Sequence, residues 1–191
     1  MKRILIAVFT LASLLPAFAG RDALIDHRDK WNLFTKLELS FTEIDNSSAL
    51  LGGVAIGGLL NDQLGVGIAA HTLLGNVDTE SPFLKSIENT DLIYGGFYTE
   101  YVFTPESLFY VSLDLLIGGG QLRVQRIAGG EEKSNLFVVE PGLNVFVNIT
   151  ETFHFGLGAS YRFVRNVDIP GLEDSDLSGL TGTIFFRFTQ F

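Results

Sequence analysis

Residues 96–118 read GFYTEYVFTPESLFYVSLDLLIG, two apolar runs joined at Pro105, and each run carries a carboxylate near its middle. Side chains of a β-strand point alternately to the two faces of its sheet. In the first run the alternation places Glu100 on the same face as Tyr98, and in the second it places Asp114 on the same face as Tyr110 and Ser112. The opposite face of each run consists of large apolar residues. Pairing Phe103 with Phe109 across the turn predicts Glu100 beside Ser112 and Tyr98 beside Asp114, so that both carboxylates point the same way.

The same period of two recurs along the whole chain. Apolar segments rich in Val, Ile, Phe, Tyr and Gly are separated by polar turn residues, which is typical of strands. We predict eight strands at approximately Trp31–Glu43, Ala49–Leu60, Leu64–Leu74, Leu92–Phe103, Leu108–Gly118, Leu136–Ile149, Phe153–Val164 and Gly179–Phe191. Pro141 falls inside the sixth segment, and because proline removes a ladder hydrogen bond we expect a bulge or a position near the strand's start there.

Two architectures bury one face of such an antiparallel sheet. A soluble sandwich or lipocalin-like barrel encloses the apolar face, whereas a transmembrane barrel turns that face to lipid and encloses the charges. Alternation alone leaves both open, although 47% hydrophobic residues and a mean hydropathy of +0.31 favour the second in a chain of net charge -9.

The lengths of the connections favour the transmembrane barrel, in which tight periplasmic turns alternate with long external loops. The second, fourth and sixth connections are tight, at 61–63, 104–107 and 150–152. The third, fifth and seventh are long, at roughly 75–91, 119–135 and 165–178, and only the first, at 44–48, is shorter than this pattern predicts.

The chain begins with features of a secretory signal. MKR at 1–3 is basic, residues 4–15 are apolar, and Ala17-Phe18-Ala19 has the form of a signal peptidase site. We therefore expect a signal peptide at 1–19 and one β-barrel domain at 20–191. No cysteine is present, so disulfides and a lipid-bearing cysteine are excluded.

These features together resemble the small eight-stranded outer-membrane β-barrel proteins of bacteria, over the whole mature length. The resemblance is carried by the signal, the alternating segments, the turn FTPESLF (103–109), the stretch VEPGLNVFVNIT (139–150) and the terminal TIFFRFTQF (183–191). It implies an up-and-down barrel in the bacterial outer membrane with both termini in the periplasm. It also implies that the barrel assembly machinery recognises Phe191 as a C-terminal signal. In a regular strand Phe191 would share a face with Thr189 and Arg187, whereas the apolar residues Ile184, Phe186 and Phe188 lie on the opposite face. A local irregularity near Gln190 would bring Phe191 onto the apolar face.

The inward charges predict an ionic plug in the lumen. A Lys or Arg facing lipid near the midplane costs about 2–4 kcal/mol, so charges of matching parity belong inside, where eight strands leave room only for side chains. The predicted lumen network comprises Lys36, Glu38, Glu100, Asp114, Glu140, Arg162 and Arg187. A narrow ion path is the alternative, and the excess of one carboxylate would favour cations in it.

Aromatic residues cluster at the strand ends. A periplasmic-side girdle is predicted from Trp31, Phe103, Phe109, Phe153 and Phe188, all beside tight turns or termini. Phe41, Phe137 and Phe163 stand at the other ends.

The sequence predicts no catalytic, metal or cofactor site. His154 and Ser160 lie about 20 Å apart on one strand, and His71 has no Ser partner in its strand, although it shares an inner wall with Gly65, Gly67 and Ala69. The glycines of LGGVAIGG (51–58) lack the lysine and helix of a phosphate loop, and no metal-ligand spacing occurs.

We therefore expect a structural or surface-interaction protein, adhesin-like or envelope-stabilising, with lipopolysaccharide and an extracellular partner as candidate ligands. A small-solute or hydrophobic-ligand conduit and a lipid-modifying enzyme are the alternatives. The acidic long loops (Asp78, Glu80 and Glu88; Asp168, Glu173, Asp174 and Asp176) offer weak cation sites, and Arg123, Arg126 and Lys133 offer contacts to lipid phosphates. The acidic balance disfavours nucleic acid.

Overall fold

The protein is a closed eight-stranded antiparallel barrel in which each strand pairs with its neighbours in sequence and β1 pairs with β8. The computed structural model describes residues 30–45, 47–75, 87–127 and 130–190. The strands are β1 (Trp31–Ile44), β2 (Ser47–Leu60), β3 (Leu64–Leu73), β4 (Ile87–Phe103), β5 (Phe109–Arg126), β6 (Glu131–Asn148), β7 (Phe153–Arg165) and β8 (Gly179–Gln190). One helical turn, α1 (Asp174–Leu177), precedes β8. The predicted up-and-down barrel is confirmed.

The polarity of the wall decides between the two architectures. Leu113 is 44% exposed on the outside, whereas Glu100 is 2% exposed inside. The same holds around the barrel, where the outward large apolar residues include Leu37, Phe41, Ile68, Phe97, Val111, Leu157 and Phe186, all at 37% or more. An apolar exterior around a charged interior is the arrangement of a transmembrane barrel.

The two ends of the barrel differ. At the tight-turn end lie residues 61–63, 104–108 and 149–152, as predicted. Asn61 and Asp62 adopt φ of 52° and 58°, a left-handed conformation that Asn and Asp tolerate better than other non-glycine residues. The Asp62 side chain also accepts a hydrogen bond from the Asn32 amide at 2.7 Å, which ties this turn to β1.

At the opposite, long-loop end, the fifth connection was predicted wrongly. β5 and β6 continue as a regular hairpin whose connection covers only residues 127–130, so Arg123, Arg126 and Lys133 lie in strands. Together with the outer part of β4, this hairpin forms a tall wall on one side of the barrel. Asp78, Glu80 and Lys85 of the third connection lie outside the described residues.

The seventh connection folds back over this end of the barrel. We call residues 166–178, which include α1, the cap. Its Ile169, Leu172 and Leu177 are buried, and the Asp45 amide donates to the Asp176 carbonyl at 2.8 Å. The cap therefore closes the long-loop mouth.

The predicted register of β4 and β5 was wrong by two residues. Phe103 pairs with Val111, so Glu100 lies directly opposite Asp114. A shift of two preserves the face of every side chain, so both carboxylates still point inward.

Pro141 is accommodated by a gap in the ladder instead of a bulge. The β6–β7 pairing runs to Val139↔Phe163 and resumes at Gly142↔Ser160 in the same register, with Glu140 and Pro141 unpaired on that side. The β1–β8 ladder is regular from Thr181 to Gln190, so the expected irregularity near Gln190 does not occur. Phe191 and the signal peptide at 1–19 lie outside the described residues. Within the described part of the chain, no helix is long and apolar enough to cross a membrane.

Replacing an outward residue of the apolar band by a cation tests this polarity. We expect Leu113→Arg to lower the free energy of unfolding in lipid vesicles by about 2–4 kcal/mol, because a cation near the midplane is desolvated. Gln125→Arg, on the outer face of the tall wall beyond the apolar band, is the matched control and should change it by less than about 0.5 kcal/mol. Denaturant titration measures both, and equal effects would contradict the assigned polarity.

Candidate functional site

The centre of the barrel interior holds a compact ionic cluster. Arg187 Nη2 lies 2.9 Å from Glu100 Oε1, and Lys36 Nζ lies 3.5 Å from Glu100 Oε2 and 3.7 Å from Asp114 Oδ2. The Tyr98 hydroxyl contacts Lys36 and lies 3.1 Å from both carboxylates. We call these five residues the central cluster.

The central cluster explains how Glu100 and Asp114 tolerate being directly opposite each other. Like charges in that position repel, but Lys36 reaches both carboxylates. Aromatic faces complete the shell: the Arg187 guanidinium lies 5.3 Å from the Phe34 ring centre, and Lys36 Nζ lies 4.9 Å from that of Phe185. Cations over aromatic faces are stabilised electrostatically. Each cation of the cluster therefore has both a carboxylate partner and an aromatic neighbour.

A second polar layer lies between the central cluster and the cap. His71 Nε2 and Glu38 Oε2 are 2.9 Å apart. Glu140 accepts hydrogen bonds from the Tyr94 hydroxyl at 2.9 Å and the Ser160 hydroxyl at 2.6 Å. The layer borders a cavity of ≈ 30 Å³ whose lining also includes Asp114 and Asn144, large enough for a water molecule.

All seven residues of the predicted lumen network line the interior, but they do not form one network. Lys36, Glu100, Asp114 and Arg187 belong to the central cluster, Glu38 and Glu140 belong to the second layer, and Arg162 lies beneath the cap, where it donates to the Leu177 carbonyl. His71 was missed as a member. Its inward parity and the excess of one carboxylate over the lysine and arginine residues were the signals that would have found it.

Above the second layer the interior becomes apolar. Its buried side chains are Ile44, Leu51, Leu92, Leu122, Val124, Leu136, Val138 and Val164, together with Leu177, Leu172 and Ile169 of the cap. Arg126 points to this inner side, where it pairs with Glu132 at 3.0 Å and donates to the Pro170 carbonyl at 3.2 Å. The lumen is therefore closed by an ionic barrier and by an apolar one.

The tight-turn mouth opens into a cavity of ≈ 330 Å³ that ends at Arg187, Tyr110 and His154. The Asn148 amide nitrogen donates to the carbonyls of Pro105 and Ser107 at 3.1 and 2.8 Å. Its oxygen therefore faces His154 Nδ1, which must be the donor of that contact. His154 Nε2 then accepts from the Thr189 hydroxyl at 3.2 Å. Both ring nitrogens of His154 are thus hydrogen-bonded to side chains of the tight-turn end.

The aromatic residues of the predicted girdle lie around the tight-turn end. Trp31, Phe103, Phe109 and Phe188 are 43–64% exposed on the outer surface, and Phe153 packs against Phe188 with ring centres 5.2 Å apart. Their positions mark where the apolar band ends on this side.

Ser160 does not form a hydroxyl–imidazole pair with either histidine that the structure describes. Ser160 donates to Glu140 and neither His71 nor His154 is among its hydrogen-bond partners. Across the described ranges, no group of three or more His, Asp or Glu side chains is placed to hold a metal ion.

Comparison with known proteins shows the fold. Neisserial surface protein A (NspA) superposes with a TM-score of 0.57 at 12% sequence identity, covering 85% of this chain and 97% of that chain. This chain has the fold of the small eight-stranded outer-membrane barrels. Ail, the attachment invasion locus protein of Yersinia pestis, superposes on this barrel with a TM-score of 0.50 at 14% identity, covering 85% of this chain and 98% of that chain. Neither the protein-family models nor the curated proteins compared with the chain match it.

Removing Glu100 tests the central cluster. We expect Glu100→Gln to destabilise the barrel by about 3–5 kcal/mol, because the buried Arg187 loses its carboxylate partner and Lys36 is left with Asp114 alone. Glu151→Gln, at the exposed tight-turn rim, removes the same charge and should change the free energy of unfolding by less than about 0.5 kcal/mol. Denaturant titration in vesicles provides the measurement. If the two variants unfold alike, the cluster does not hold the interior together.

Proposed function

We propose that the protein is an integral outer-membrane barrel with a structural or surface-interaction role, adhesin-like or envelope-stabilising, and that it neither conducts solutes nor catalyses a reaction. One observation carries the proposal: between the tight-turn cavity and the cap the interior is blocked twice, first by the central cluster and then by the apolar layer under the cap. A barrel whose interior is filled presents its surfaces, not its lumen, to partners.

The fold supports a location in the bacterial outer membrane. An apolar exterior band bordered by aromatics suits a bilayer, and tight turns at one end with the cap and the tall wall at the other suit termini in the periplasm. The names of two structural neighbours, a surface protein and an attachment invasion locus protein, agree with a surface role. The barrel assembly machinery would act on the chain during biogenesis, with Phe191 as its signal.

The tall wall is the surface we assign to partners. Its outward face is polar, and Arg123 and Lys133 lie directly opposite each other on β5 and β6. Arg123 Nε donates to Gln121 at 2.6 Å and Lys133 Nζ lies 3.1 Å from Glu131. Both cations sit on the strands beyond the outward Phe137, at the height where lipopolysaccharide phosphates would be met. Arg126, which the sequence also offered as a contact to lipid phosphates, faces inward and is not part of this surface.

Conductance separates this proposal from a conduit. We expect the purified protein to give no current steps in planar bilayers, because two independent barriers fill its lumen. A variant lacking cap residues 167–176 keeps the central cluster and should also be silent, whereas the same deletion combined with Lys36→Ser and Arg187→Ser should conduct. Steps from the unaltered protein would establish the conduit instead.

Shortening the tall wall tests the surface role. Replacing residues 123–133 by Asn-Gly joins Leu122 to Ser134, which already pair in register, through a favoured hairpin turn. We expect this variant to reduce adhesion of barrel-expressing cells to cultured epithelial cells, or the resistance of their envelope to detergent, by roughly tenfold, a change typical of losing a principal contact surface.

Glu106→Ser, at the tight-turn end, is the control and should leave both properties unchanged. Labelling of Ser175→Cys, an exposed cap position that the shortened barrel keeps, by a membrane-impermeant thiol reagent on intact cells verifies display of both variants, since the chain has no native cysteine. Unchanged adhesion and envelope resistance in a displayed, shortened barrel would contradict the proposal.

A further inference from the structure

Arg162 is a fully buried cation that forms no ion pair with any residue that the structure describes. Its Nε donates to the Leu177 carbonyl of the cap at 2.9 Å, and its Nη2 lies 3.4 Å from the Thr42 hydroxyl. Its Nη1 has no hydrogen-bond partner, and no carboxylate among the described residues lies within ion-pair distance of it. Buried charges are ordinarily paired, so the position of Arg162 calls for an explanation.

The unused partner is Glu140. On β6 and β7 these two residues fall directly across from each other within the interruption of the ladder at Pro141, between Val139↔Phe163 and Gly142↔Ser160. Glu140 instead binds Tyr94 and Ser160. An ion pair is thus within reach of both side chains but is not made.

His71 is placed to decide between the two arrangements. The Tyr94 ring stacks on His71 with ring centres 4.9 Å apart, and the Arg162 guanidinium lies 5.7 Å from the same ring. The charged or titratable groups that face His71 are Glu38 from β1, Tyr94 from β4, Glu140 from β6 and Arg162 from β7. His71 is buried, and its Nδ1 has no hydrogen-bond partner among the residues that the structure describes.

The charge balance of the interior depends on His71. Apart from the Arg126–Glu132 pair near the cap, which is neutral as a unit, the interior carboxylates are Glu38, Glu100, Asp114 and Glu140, and the permanent cations are Lys36, Arg162 and Arg187. Four negative charges against three positive ones become neutral when His71 carries a second proton. Loss of that proton leaves the interior with one uncompensated negative charge, which is costly in a low-dielectric environment.

We propose that Arg162 is a latch that holds the cap on the long-loop mouth and that loss of a proton from His71 releases it. While His71 is an imidazolium, Glu38 is balanced and Arg162 stays on the Leu177 carbonyl. When the proton passes to water in the adjoining cavity, the second layer gains an unbalanced negative charge. Arg162 then turns to Glu140, and the cap loses its buried donor.

The reactivity of a cysteine placed under the cap tests the latch. Leu172→Cys is buried in the closed state, Lys133→Cys is exposed and corrects for the intrinsic pH dependence of thiol labelling, and the chain has no native cysteine. In vesicles, the ratio of the labelling rates, Leu172→Cys over Lys133→Cys, should rise roughly tenfold between about pH 5 and about pH 8, the range in which histidine titrates.

Variants of the two switching residues make the test specific. Glu140→Gln removes the alternative partner, so the ratio should stay low at both pH values. His71→Asn mimics the deprotonated state and should give a high ratio at both, and adding Glu140→Gln to it should restore protection. A flat ratio in the unaltered background, or a Glu140→Gln ratio that still rises with pH, would overturn the latch. Heat-modified gel mobility verifies that each variant is folded.

Discussion

Closure of the sheet is the constraint on which the rest of the structure depends. Inside a bilayer no water is available to backbone donors and acceptors, so a sheet can span only if it has no free edge. Here β1 pairs with β8 over ten residues, from Leu33↔Gln190 to Thr42↔Thr181, and closes the ring. With eight strands the enclosed space is too narrow to stay open. The composition of the inward side chains then determines what the barrel can do.

The polarity of the wall inverts along its length. On β5 the outward residues are apolar up to Ile117 and polar from Gln121, while the inward ones change from Ser112 and Asp114 to Leu122 and Val124. Below the inversion the surroundings are lipid, so charges are enclosed; above it they are water, so an apolar core forms as in a soluble barrel. Both lumen barriers follow from this one change of solvent, and the cap completes the apolar one.

The period of two was enough to predict the strands and the face of each interior charge, but three features were beyond it. The outer part of the β5–β6 hairpin was assigned to a loop because its outward residues, such as Gln121 and Arg123, are polar; the alternation persists there with inverted polarity. The β4–β5 register was missed because it depends on the backbone of the turn, where Thr104 adopts φ of 47°. The pairing of Glu38 on β1 with His71 on β3 depends on the relative positions of these strands along the barrel axis. The alternation of side chains does not determine those positions.

The interior charges also have a role that stability does not explain. A buried ion pair is often no more stabilising than apolar residues of similar volume. If the interior side chains were apolar, however, β1 and β5 would each have two apolar faces. A slip of one residue exchanges the two faces of a strand, and with both faces apolar a bilayer would not penalise that slip. Lys36, Glu100 and Arg187 make it costly, because each would be carried into lipid. β2 and β3, which have few charges, are instead fixed by close contact, since a Cβ on Gly67 would lie 2.1 Å from the Ile56 carbonyl. The central cluster thus specifies which face of the sheet meets the membrane, and filling the lumen follows from that specification.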